Sequence, residues 1–187
     1  EEAWRERTGR PVALVDDAER PVPLEFEYVV DRLPDTVERL LGEGRWPVYI
    51  VHFSQRDAVA TAKSFDRNSL VPKDRKAQIG AALAGVHFGR GFGQTLRSLL
   101  VQGVGVHHAG MLPRYRRLVE RLTQRGLLPI VCGTDTLGVG INVPIRTVLM
   151  TSLIKFDGAR MRHLSAREFH QIAGRAGRAG FDTVGFV

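Results

Sequence analysis

The stretch EFHQIAGRAGRAG, residues 168–180, places an amide and two guanidinium groups among glycine and alanine. If Ser165 caps a helix running through it, Gln171, Arg175 and Arg178 fall at i, i+4 and i+7, on one face. Each glycine inside a helix costs about 1 kcal/mol relative to alanine. Gly174 and Gly177 therefore predict a surface that presses close to the backbone. An amide and two guanidiniums on a bare face suit a triphosphate whose charge must be held during transfer. A glycine-rich helix end with solvated arginines, or an RNA-binding arginine–glycine tract, would use the same residues differently.

Three further stretches carry groups of the right kind. In VCGTDTLGVGINVP, residues 131–144, an apolar run leads into Gly133, Thr134, Asp135 and Thr136, then Gly138 and Gly140, and stops at Pro144. Hydroxyls and free N–H groups at a strand's carboxyl end can form a nest for phosphate oxygens. Asp135 and Asn142 could bond ribose hydroxyls, whereas an ordinary capped strand-to-helix turn is the plainer alternative. In GVGVHHAGMLPRYRRL, His107 and His108 invite a metal, but no second ligand pair accompanies them and no metal site is assigned. Adjacent strand residues face opposite sides, so one histidine is expected to be buried and the other at the loop edge. Pro113 suits a first helical turn, and Arg114, Arg116 and Arg117 behind it could clamp a phosphate or form a solvated basic face. In VHFSQR, Ser54 could hold a phosphate or simply cap a helix.

These groups need elements to hold them. RPVPLEFEYVV alternates at Leu24, Phe26, Tyr28 and Val30, predicting a first strand. A helix is expected over LPDTVERLLGEG, begun by Asp35 or Thr36 and closed by Gly42 or Gly44. WPVYIVHF is apolar throughout, as in a strand buried on both faces. Helices are expected from SQRDAVATAKSF, around KDRKAQIGAALAG before a flexible loop, from FGQTLRSLLVQG and from LPRYRRLVERLTQRG. VGVHH, LLPIVCGT, RTVLMTSL and TVGFV read as strands, and SAREFHQIAG as a helix. Alternating strands and helices predict an α/β fold with an open, mainly parallel sheet. Its ligands should gather at the carboxyl ends of strands, in the loops 54–56, 107–113, 133–144 and 151–160.

Bulk properties narrow the class. The 187 residues suit one compact domain, with residues 1–23 as a leading segment. No apolar run approaches the roughly 20 residues of a membrane span, and the start lacks a signal peptide's apolar stretch. A single cysteine, Cys132, excludes an internal disulfide and makes a reducing cytoplasm the default. The net charge of +7 points to polyanionic partners. Only four of the 27 basic residues are lysine, a bias that suits bidentate phosphate recognition or follows from GC-rich coding.

Taken in order, RPVPLEFEY, VYIVHFSQR, GVGVHHAGMLPRYRRLVERL, CGTDTLGVGINVP, TSLIKFDG and FHQIAGRAGRAG resemble the second RecA-like domain of superfamily 2 helicases, in the Ski2/Mtr4-like DExH branch. VYIVHFSQR is similar to motif IV, CGTDTLGVGINVP to motif V, and FHQIAGRAGRAG to motif VI, QxxGRxGR. The likeness spans about residues 20–187. It implies a RecA-like sheet of the P-loop NTPase type over residues 24–187. Gln171, Arg175 and Arg178 would then face ATP, with Arg178 and Arg175 as arginine fingers, and Gly138, Gly140, Asn142 and Asp135 would lie beside the nucleotide. Thr134, Ser54, the His108 loop and Arg114 would grip one strand of RNA, or alternatively DNA.

The chain has no G-x-x-x-x-G-K-[ST] and no Asp-Glu pair. ATP and Mg²⁺ are accordingly expected to be held mainly by a first RecA-like domain of a larger protein, and this lobe alone should not hydrolyse ATP. Two rivals use the same fold: a degenerate lobe serving as a nucleic-acid or protein scaffold, and a motor that translocates without unwinding.

Overall fold

The computed structural model describes residues 6–7, 9–10, 20–65, 70–135 and 143–187. Three strands are buried at every position: β2 (Val48–His52), β3 (Val104–His107) and β4 (Ile130–Thr134). Runs that are apolar throughout need cover on both faces. With β1 (Leu24–Glu25), β5 (Thr147–Met150) and β8 (Gly185–Phe186) they form a six-stranded sheet ordered β1-β8-β5-β2-β4-β3. Every pairing in it is parallel. An antiparallel pair, β6 (Ile154–Phe156) and β7 (Met161–His163), stands apart.

Six helices complete the described fold: α1 (Leu33–Gly42), α2 (Gln55–Ser64), α3 (Lys73–Leu83), α4 (Phe92–Val101), α5 (Pro113–Gln124) and α6 (Ala166–Ala173). α5 illustrates how pattern becomes packing. Tyr115, Leu118, Val119 and Leu122 are buried, while Arg114, Arg117 and Arg121 stay in water, as a 3.6-residue period requires. None of the described helices is long and apolar enough to cross a membrane.

Two expectations about elements need correction. The alternation at 24–30 yields only a two-residue strand, and Tyr28 and Val30 are each 87% exposed. Only Leu24 and Glu25 take partners in β8, and Glu27 N–H bonds the Val187 carbonyl. Phe26 instead stacks on Phe169 of α6, centroids 5.8 Å apart. α1 begins at Leu33 with Pro34 in its first turn and no side-chain cap, rather than at Asp35 or Thr36.

At the centre, β2 pairs with β4 on one side and β5 on the other, so His52 lies opposite Thr134 and Val51 opposite Met150. The Tyr49 hydroxyl donates to the Thr134 carbonyl at 2.7 Å. To do so it crosses Gly133, where a Cβ would run into both that hydroxyl and the His107 carbonyl oxygen. Gly133 is therefore a packing residue. Gly133→Ala is expected to destabilise the chain by about 1–3 kcal/mol, the usual range for overpacking, as measured by urea unfolding.

Candidate nucleotide and nucleic-acid sites

α6 begins as the sequence predicts. The Ser165 hydroxyl accepts the Glu168 N–H and the Glu168 carboxylate accepts the Ser165 N–H at 2.9 Å, a reciprocal cap. It ends at Gly174, where SAREFHQIAG ends, and does not run on to Arg178. Gly174 N–H bonds the His170 carbonyl, after which Arg175 and Ala176 bond only three residues back, to Ile172 and Ala173. Ala176 then bridges to Ile145, and Gly177 N–H donates to the Ile145 carbonyl at 3.0 Å. Gln171 lies exposed in the last turn of α6, but Arg175 and Arg178 are outside the helix. The shared helical face does not exist.

The physical reason lies at Gly177, whose φ is +82°. A Cβ there would stand 2.6 Å from Val22 Cγ1 and 3.2 Å from the Gly185 Cα. The bareness of this segment serves a close approach within the chain, by the leading segment and the last strand.

Arg178 is half-buried and committed. Its Nε and Nη2 donate to Asp182 at 2.6 and 2.7 Å, and its backbone N–H donates to the same carboxylate. The Asp182 side chain is only 2% exposed. Burial would raise its pKa, but the bonds from Arg178 and the charge of Arg146 hold it below the ordinary value. Arg146 Nε lies 3.7 Å from Asp182 and is buried without a hydrogen bond. Arg175 is half-buried, and its charge opposes the upward shift that burial imposes on Tyr49, whose hydroxyl bonds Thr134. The arginine turn is thus fastened to Ile145, ahead of β5, instead of at a strand's carboxyl end.

The carboxyl ends of β2, β3 and β4 carry the other predicted residues. Ser54 caps α2 and bonds Asp57, accepting its N–H at 3.0 Å. Thr134 is buried opposite His52. The Gln55 side chain comes down on Gly110, which brings the 108–112 loop onto the start of α2. Arg114 is exposed, its guanidinium 4.9 Å from the Tyr115 ring. Gly138, Gly140 and Asn142 lie outside the described residues.

Both histidines are buried, at 3% and 8% exposure, against the expectation of one at the loop edge. His107 Nε2 meets the Glu120 carboxylate at 3.0 Å. His108 turns under Phe92, centroids 5.9 Å apart, and neither of its ring nitrogens has a partner. Burial lowers both pKa values and favours the neutral rings. Among the described residues, no cluster of three or more His, Cys, Asp or Glu could hold a metal ion.

One assembly escaped the sequence reading. Asp135 pairs with Lys155 at 3.3 Å, Lys155 with Glu168 at 2.7 Å, and Arg162 grips Glu168 with two 2.8 Å bonds. The β6–β7 hairpin is thereby tied both to the end of β4 and to the start of α6. The signal was present: Asp157-Gly158 between apolar residues marks a hairpin, and the Asp157 carboxylate accepts the N–H groups of Ala159 and Arg160. Bonds from Arg162 and Lys155 hold the Glu168 carboxyl far below its usual range. A depressed carboxyl stabilises above its unfolded pKa of about 4.3 and loses that contribution as pH falls below it. Glu168→Gln is expected to lower the melting midpoint by several degrees at pH 7, with the gap from wild type narrowing below about pH 4. Melting curves across pH measure it.

The comparisons with known proteins agree with this architecture. The family described as helicase conserved C-terminal domain matches residues 76–180. DExH-box ATP-dependent RNA helicase DExH15 of Arabidopsis thaliana is 34% identical over 160 residues, which cover 84% of this chain and 14% of that protein. ATP-dependent RNA helicase mtr4 of Schizosaccharomyces pombe is 38% identical over 135 residues, 72% of the chain and 11% of the relative. Antiviral helicase SKI2 of Saccharomyces cerevisiae is 46% identical over 91 residues, 49% and 7%. The chain belongs to the helicase C-terminal domain family, as a RecA-like domain of the Ski2-like DExH branch. It spans only 7% to 14% of the length of these three relatives.

Proposed function

We propose that this domain is the carboxyl-side motor lobe of an ATP-dependent nucleic-acid helicase. The observation that carries the reading is the turn 174–178, which holds two guanidiniums outside the helix on a backbone locked at Gly177. ATP and Mg²⁺ would be held mainly by a first RecA-like lobe. The chemistry this chain offers the terminal phosphate is cationic: Arg175 and Arg178 would lower the energy of charge that develops there, and Gln171 would add its amide from the last turn of α6.

Arg178 can take that role only by leaving Asp182. Removing one partner of a buried pair costs about 3–5 kcal/mol when nothing replaces it. Arg146 Nε lies 3.7 Å away without a hydrogen bond, and it can close onto the carboxylate as Arg178 leaves while its Nη1 stays on the Gly44 carbonyl. This exchange lets the finger reach out without stranding a buried charge. A second reading takes the pair at face value: in a degenerate lobe that serves only as a scaffold, Arg178 stays on Asp182.

The expected result for Arg178→Ala in the full-length protein is a ~10³-fold to 10⁵-fold fall in ATP turnover, with nucleotide affinity within twofold of wild type. Loss in Arg175→Ala alone would make Arg175 the sole finger, and unchanged turnover in both variants favours the scaffold.

Ser54, Thr134, Arg114 and the backbone of the His108 loop are proposed to track phosphates of one strand, since phosphate contacts position without reading sequence. His108 contributes through its loop, because its ring is beneath the surface. The relatives named RNA helicases favour RNA over DNA. Single-stranded RNA should therefore stimulate ATP turnover more than DNA of the same sequence at equal salt, with stimulation falling as salt rises.

A further inference from the structure

We infer that Arg20 is a positioning residue for Arg175. This rests on the reading of Arg175 as a phosphate-facing group. Arg20 lies just ahead of β1, 154 residues from the turn it touches. Its Nη2 donates to the Gly174 carbonyl at 3.1 Å and also to the Ala176 carbonyl, the two that flank Arg175. Its Nε donates to the Val22 carbonyl at 2.6 Å, which fixes the guanidinium within its own segment.

The need for such a group follows from how α6 ends. Carbonyls at a helix carboxyl terminus are left without N–H partners and carry the negative end of the helix dipole. Here the chain does not continue as helix, because Gly177 turns it toward Ile145. A cation at the Gly174 and Ala176 carbonyls satisfies both and stops the turn from swivelling about Arg175.

The neighbours of Arg20 make the same connection. Val22, 3% exposed, fills the space that a side chain on Gly177 would need. The Pro23 carbonyl accepts the Gly185 N–H at 2.9 Å. Residues 20–23 are thus stitched to the turn on both sides of Arg175 and to the strand behind it. Any displacement of the leading segment reaches the backbone that aims this guanidinium. Lysine cannot replace Arg20, since one compact ammonium lacks the planar fork that serves Val22 and the turn together.

The test uses the full-length protein with Arg20→Ala, Arg20→Lys, Arg175→Ala and the double variant Arg20→Ala/Arg175→Ala. Misplacing a reacting group by about 1 Å can cost ~10²-fold. Both Arg20 variants are therefore expected to lower kcat ~10-fold to 10²-fold, with the KM for ATP, nucleic-acid affinity and melting midpoint nearly unchanged. In the Arg175→Ala background, Arg20→Ala should add no further loss. Full kcat in either Arg20 variant, a fall that tracks lost stability, or an independent loss in the double variant overturns the inference. Unchanged turnover in Arg175→Ala would instead overturn the reading of Arg175 on which it rests.

Discussion

A side chain at position 177 would leave no room for Val22 or for the backbone of Gly185. That one close approach decides where two arginines can lie. It holds the backbone left-handed after Ala176, turns the chain onto Ile145 and ends α6 one turn short of Arg178. Arg175 and Arg178 therefore sit on the loop that follows α6. Arg178 is bound to Asp182.

α6 is secured at both ends by charge. At its start, Glu168 receives Lys155 and Arg162 as well as the Ser165 N–H, and Lys155 continues to Asp135 at the end of β4. At its end, Arg20 holds the carbonyls around Arg175. The helix is in effect a strut between the strand end that leads into the motif V stretch and the turn that carries motif VI. Short, charge-assisted bonds are directional, so each fixes the end of the helix that it holds. The buried Tyr49 hydroxyl, bonded to the Thr134 carbonyl, ties β2 to the end of β4.

Much of this was legible in the residues. A run apolar throughout identified β2 as buried on both faces, and VGVHH and LLPIVCGT marked β3 and β4 as strands. Serine before a helical pattern located α2 and α6, since a hydroxyl there satisfies an orphan N–H. Alternation at 24–30 was legible as a pattern, but only Leu24 and Glu25 pair with β8, and Phe26 stacks on Phe169 instead. The 154–163 hairpin was written in Asp157-Gly158 yet hidden by its short, exposed arms.

By itself, then, the sequence determined the order of the sheet strands and helices, the family likeness and the identity of the candidate groups. Each of these depends on near neighbours along the chain. Only the tertiary structure decided that Arg178 belongs to Asp182, that both histidines are covered, and that Gly133 and Gly177 are bare for the sake of Tyr49 and Val22. Those outcomes depend on atoms brought together from distant parts of the chain, where packing and pairing of buried charge outweigh local periodicity.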